Sequence, residues 1–85
     1  MENKTISSKS RLYWQCRRGM LELDTLLIGF MDRKYNELDS YYQQVFETVL
    51  DNPDPLLLDY LMGNTIPADK DVAYVIKQIQ EAVES

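Results

Sequence analysis

The stretch Cys16–Asp24, C-R-R-G-M-L-E-L-D, reads as the end of one helix and the start of the next. Arg17 and Arg18 suit the negative C-terminal end of a first helix. Glu22 and Asp24 suit the positive first turn of a second. Gly19 between them is expected at the C′ position of the first helix, where glycine takes the left-handed conformation at little cost. Working outward from this junction, the chain divides into helix-sized segments separated by punctuation.

Upstream, Ser7 or Ser8 caps a first helix carrying Leu12, Tyr13 and Cys16, with Trp14 on a different flank. Downstream, Leu23, Leu26, Leu27, Phe30 and Met31 follow the i, i+3, i+4, i+7 rule of a helix from about Met20 to about Tyr35. Asp39-Ser40 announces a third helix with Tyr42, Val45, Phe46, Val49 and Leu50 inward, ended by Asn52-Pro53. Asp54 is expected to cap a short fourth helix with Pro55 at its first position, where the missing N–H costs nothing. Leu56, Leu57, Tyr60 and Leu61 make its buried side, Leu58 points elsewhere, and Gly63 closes it. Asn64–Pro67 leads to Asp69, which caps a last helix with Val72, Val75, Ile76, Ile79 and Val83 in one stripe.

No window shows sustained period-2 alternation, so no strands are expected. Five helices joined by connections of a few residues imply an all-α fold. The expectation is a compact five-helix bundle with roughly antiparallel neighbours. Residues 1–85 read as one domain with an ordered core at about 6–83.

The bulk numbers narrow the function. Eighty-five residues leave little room for a deep catalytic pocket beside a core, which weighs against an enzyme. Histidine is absent and Cys16 is the lone cysteine, so structural zinc, Cys/His catalysis, haem attachment and an internal disulfide are set aside. A reducing, cytoplasmic setting is expected; no 18-residue apolar run spans a membrane and no signal-peptide core opens the chain. Residues 1–18 carry a net +4 and the remainder a net −9, giving the overall −5. The basic segment is too short to bind nucleic acid, though it could meet an acidic or phosphate group on a partner.

Most conspicuous side chains have plain explanations. Tyr35, Tyr41 and Tyr42 fit the rim of a core. Asp51, Asp54 and Asp59 lack calcium-loop spacing. Gly19, Gly29 and Gly63 are too scattered for a phosphate loop, and Glu22 and Asp24 face different directions on a helix. The opening corner is different. Arg11, Trp14, Arg17, Arg18, Met20 and Leu21 crowd a glycine, and arginine, tryptophan and methionine are enriched at interface centres. Spacing alone leaves an interface and ordinary helix ends evenly balanced.

The same residues resemble a family. R-L-Y-W-Q-C-R-R-G-M-L-E-L-D looks like the signature of the SdhE/YgfY family, the FAD assembly factors of succinate dehydrogenase and fumarate reductase. Its R-G-x-x-E core falls on Arg18, Gly19 and Glu22, followed by Leu23 and Asp24. D-N-P-D-P-L-L-L-D-Y-L-M-G is similar to the family's D-x-P-D-L-x-x-W-L-M segment, and I-P-A-D-K-D-V-A-Y-V-I-K-Q-I to its final helix. The likeness covers roughly residues 6–83. Tyr60 stands where the family often has tryptophan, and Leu21 where close relatives often have arginine.

The resemblance implies a monomeric helper, not an enzyme. Such a helper binds the flavoprotein subunit of succinate dehydrogenase, and that of fumarate reductase, and promotes covalent attachment of FAD to a histidine there. Arg18, Gly19 and Glu22 would be the essential surface, with Arg11, Trp14, Arg17, Met20 and Asp24 flanking it. Arg18 would meet a carboxylate or carbonyl of the partner, and Glu22 an arginine or amide. No tightly bound cofactor is expected, because the FAD belongs to the client. Two alternatives stand beside this: a helical regulatory module such as an antitoxin, and a direct flavin carrier using Trp14 and Tyr13.

Overall fold

Apolar residues three and four apart make each helical segment one-sided, and burying those sides together is what assembles the fold. The computed structural model describes residues 8–84, with side chains from 10 to 82. Among the described residues there are five α-helices: α1 (Ser8–Cys16), α2 (Leu21–Arg33), α3 (Ser40–Val49), α4 (Asp54–Met62) and α5 (Lys70–Glu84). A 3₁₀ turn, Tyr35–Glu37, lies between α2 and α3, and no strand occurs among the described residues. None of these helices is long and apolar enough to cross a membrane.

The helix ends follow cap chemistry. Asp39 accepts the amide of Tyr42 at 3.0 Å to open α3. Asp69 accepts the amides of Asp71 at 2.8 Å and Val72 at 3.1 Å to open α5. Each such cap is worth about 1 kcal/mol. Gly63 closes α4 at φ 79°, ψ 15°, a left-handed conformation that glycine takes without a Cβ penalty.

At the centre α2 lies against α5, α1 rests on α2, α3 and α4 pack on α5, and α4 also meets α2. α2 supplies Leu23, Leu27, Phe30 and Met31 to the shared core, and α5 supplies Val75, Ile76, Ile79 and Ala82. Leu12 and Cys16 enter from α1, Phe46 and Val49 from α3, and Leu57 and Leu61 from α4. The rings of Phe30 and Phe46 stand 4.9 Å apart, with Tyr35 against both. Burying each large aliphatic or aromatic side chain contributes about 1.5–3 kcal/mol. The radius of gyration, 12.5 Å, is close to the ~12 Å of a compact chain this long.

Several local expectations need correction. α1 ends at Cys16, so Gly19 lies beyond its C′ position, in the connection to α2. α2 stops at Arg33, and Tyr35 begins the 3₁₀ turn. Pro53 occupies the N-cap of α4, no side chain caps that helix, and Asp54 already lies inside it. Leu56 and Leu58 are both half-buried, but only Leu58 packs against the core cluster, because α4 faces α2 and α5 with Leu57, Leu58 and Leu61. The cap at Ser7 and the side chains of Ser8 and Val83 lie outside what is described.

Candidate functional site

The corner between α1 and α2 is built from a short connection, Arg17 to Met20, that must turn the chain back along α1. Arg17 donates its amide to Trp14 O at 3.1 Å, which continues the turn for one residue beyond α1. Gly19 then takes φ 82°, a value that costs an L side chain about 1–2 kcal/mol. Met20 is extended at φ −112°, ψ 118° and serves as the N-cap of α2, with no side-chain cap. In place of such a cap, the Asp24 carboxylate reaches back from α2 and accepts the amide of Arg18 at 2.6 Å.

Arg18 is the most constrained side chain of the corner. Its Nε donates to Gln15 O in the last turn of α1 at 2.7 Å. Its Nη1 donates to Asp54 Oδ1 at the start of α4 at 2.9 Å, and its Nη2 to the carbonyl of Leu50, the C-cap residue of α3. A guanidinium there meets the negative ends of two helices and a carboxylate together. The side chain is 16% exposed. The carboxylate and carbonyls that a partner was expected to offer Arg18 are thus already supplied by its own chain.

The other sequence-predicted residues face outward. Trp14 is 74% exposed, Leu21 is 82% exposed, and Arg11, Arg17, Gly19 and Glu22 are all on the surface. Among the described residues no hydrogen bond or ion pair engages the side chains of Arg11, Arg17 or Glu22. Arg11 and Trp14, three positions apart, share one face of α1. Met20 is partly buried and packs on the core, and Asp24 is half-buried in its bond to Arg18. Apart from its chain neighbours, a Cβ built on Gly19 meets no atom of the described residues within 4 Å, so on that side the glycine is open.

Two features lie beyond what the sequence points to. Asp54 joins the corner through Arg18, although it reads locally as a cap; the only signal is its place in the D-N-P-D segment that accompanies R-G-x-x-E. Met62 is the other. With Leu21, Glu22, Thr25 and Leu26 it lines a shallow, almost wholly apolar cleft of about 330 Å³ beside Glu22.

Acid–base chemistry is poorly served here. Burial pushes the Cys16 thiol from its ordinary 9.0 up to about 12, only partly offset by the nearby Arg18, so no thiolate forms near neutrality. Among the described residues no three cysteine, aspartate or glutamate side chains stand together as metal ligands would.

Comparison with known proteins covers nearly the whole chain. The family described as "Flavinator of succinate dehydrogenase" matches residues 10–83. A relative from Coxiella burnetii, named FAD assembly factor SdhE, is 42% identical over 79 residues, which span 93% of this chain and 95% of that protein. Relatives of the same name occur in Colwellia psychrerythraea, 42% identical over 76 residues (89% and 84% of the two chains), and in Yersinia pseudotuberculosis, 37% over 75 residues (88% and 85%). The name describes an assembly factor, not a catalyst, and the likeness reaches far beyond the R-G-x-x-E motif.

Proposed function

Since the chain belongs to the family of flavinators of succinate dehydrogenase, we propose that it binds the flavoprotein subunit of that enzyme and promotes covalent attachment of FAD to it. The flavoprotein of fumarate reductase is a second client of the same kind. The observation that carries the reading is the open corner: Gly19 at φ 82° with free space beyond it, and Glu22 exposed and unpaired among the described residues one turn away. A glycine without neighbours lets a partner backbone come close. An unpaired carboxylate in the first turn of a helix waits for an amide or a guanidinium. Trp14, Arg11, Arg17 and Met20 surround the contact with the residue types that anchor interfaces.

The helper contributes position, not proton transfer. It has no histidine, the side chain that ordinarily titrates near neutrality, and its thiol stays protonated. Docked beside the client's FAD, the corner holds the isoalloxazine and the accepting side chain in a reactive arrangement, an effect able to lower a barrier by several kcal/mol. FAD remains the client's cofactor and is not held tightly by this chain, which acts as a cytoplasmic monomer of one domain.

Co-expression of the flavoprotein subunit with wild-type protein, Gly19→Arg or Glu22→Ala tests this through in-gel flavin fluorescence. Covalent flavin is expected with wild type and strongly reduced with both variants. Equal fluorescence in all three removes the corner as the docking site, and no gain from wild type removes the function.

A further inference from the structure

We infer that Asp54, together with Asp24, is a positioning residue for this corner and acts on it through Arg18. The inference rests on the docking reading above and deepens it. Arg18 is held at both ends. Its amide goes to Asp24 at 2.6 Å, and its guanidinium is spread over Gln15 O, Leu50 O and Asp54, the last at 2.9 Å. Three acceptors on three different helical segments need a planar fork, which arginine has and lysine lacks. To reach a partner, the side chain would have to abandon all three. The arginine of the R-G-x-x-E motif therefore works from inside.

What it sets is the direction of its neighbours. Gly19 follows Arg18 directly, and Glu22 stands in the first turn of the helix whose Asp24 holds the Arg18 amide. Clamping Arg18 fixes where Gly19 and the exposed Glu22 carboxylate point. Among the described residues Asp54 is the carboxylate that pairs with the guanidinium, and it is brought there by α4, whose place is set by Leu57 and Leu61 in the core. The docking corner is thus registered against a helix thirty-six residues away in sequence.

Two other roles for Asp54 make different predictions. As a carboxylate favouring the N-terminus of α4, it affects stability alone. As a direct contact, it affects affinity without altering the free protein. The test uses the full chain as Asp54→Asn, which keeps the size and removes the charge. Amide signals of Arg18, Gly19 and Glu22 are recorded in the free protein, and binding to the purified succinate dehydrogenase flavoprotein subunit is measured by calorimetry below the variant's melting transition. The expected result is shifted signals at all three residues and affinity about twofold to thirtyfold weaker, the scale of changes at residues that act through others without touching the ligand. Wild-type affinity overturns the inference, as does weakened affinity with unmoved Gly19 and Glu22 signals.

Arg18→Lys is the second variant and decides the matter if Asp54→Asn does not fold. It keeps the charge but cannot span the three acceptors, so the same shifts and loss are expected, and wild-type affinity again overturns the inference. If wild-type protein itself shows no affinity for the subunit, the docking reading falls and the inference with it. Wild-type binding with unaffected variants removes the inference alone.

Discussion

Arg18 Nη1 lies 2.9 Å from Asp54 Oδ1, and this ion pair joins the α1–α2 connection to the first turn of α4. Exposed pairs of this kind contribute about 0–1 kcal/mol. This one is different in setting: the side chains are only 16% and 30% exposed, and the same guanidinium covers carbonyls at the ends of α1 and α3. It is both a structural tie and the floor of the candidate docking surface.

Removing the arginine leaves those acceptors without their donor. Arg18→Ala is expected to lower stability by about 2 kcal/mol, the scale of hydrogen bonds to charged groups. For a chain of this size that lowers Tm by roughly 10 °C. Thermal melts followed by circular dichroism check it, and a change under about 2 °C on the same scale contradicts the tie.

Gly19 separates backbone strain from surface shape. At φ 82°, alanine costs about 1–2 kcal/mol although no atom stands within 4 Å of its Cβ. Asparagine, which tolerates the left-handed region, is expected to cost less, while Gly19→Arg adds bulk on the open side. Urea midpoints should therefore rank glycine, asparagine, alanine. Covalent flavin should fall most with Gly19→Arg, even where that variant is fully folded.

Glu22→Ala is expected to leave stability within about 1 kcal/mol of wild type, since an exposed charge in a first turn is worth only 0.3–1 kcal/mol. Client flavinylation should fall sharply. Urea unfolding and flavin fluorescence on the same preparation check both; a large stability loss would mean that Glu22 has a structural partner.

Cys16 makes stability fall at high pH. Its thiol is held at about 12 when folded, against 9.0 ordinarily, so the unfolded chain releases a proton first. Its effect is absent below pH 9.0 and destabilises progressively from there towards about 12. The phenol of Tyr35, raised by burial, acts in the same direction above its ordinary 10.0. Urea midpoints at pH 7, 9 and 10.5 should decline, and Cys16→Ala should flatten the first part of that decline. A thiol reagent such as Ellman's should label Cys16 only after denaturation.

Most of the helical framework is legible in the chain. The stripes of α2, α3 and α5, the caps at Asp39 and Asp69 and the glycine ending α4 are short-range features that spacing and cap chemistry dictate. The misread positions are those where a distant group competes with a local one. Asp54 has the right type for an N-cap, but Pro53 holds that place, and the Asp54 carboxylate meets the Arg18 guanidinium instead. Leu58 and Leu56 sit in one run of leucines, and only the docking of α4 decides which faces the core.

By itself, then, the sequence determined five amphipathic helices, their order, and a corner of arginine, glycine and glutamate at the first junction. Helix periodicity and capping act over three to five residues, and those distances can be read along the chain. Only the tertiary structure decided that Arg18 turns inward to Asp54 while Gly19 and Glu22 face out. That choice depends on charges thirty-six residues apart being brought within hydrogen-bonding distance, and the packing of α4 into the core brings them there.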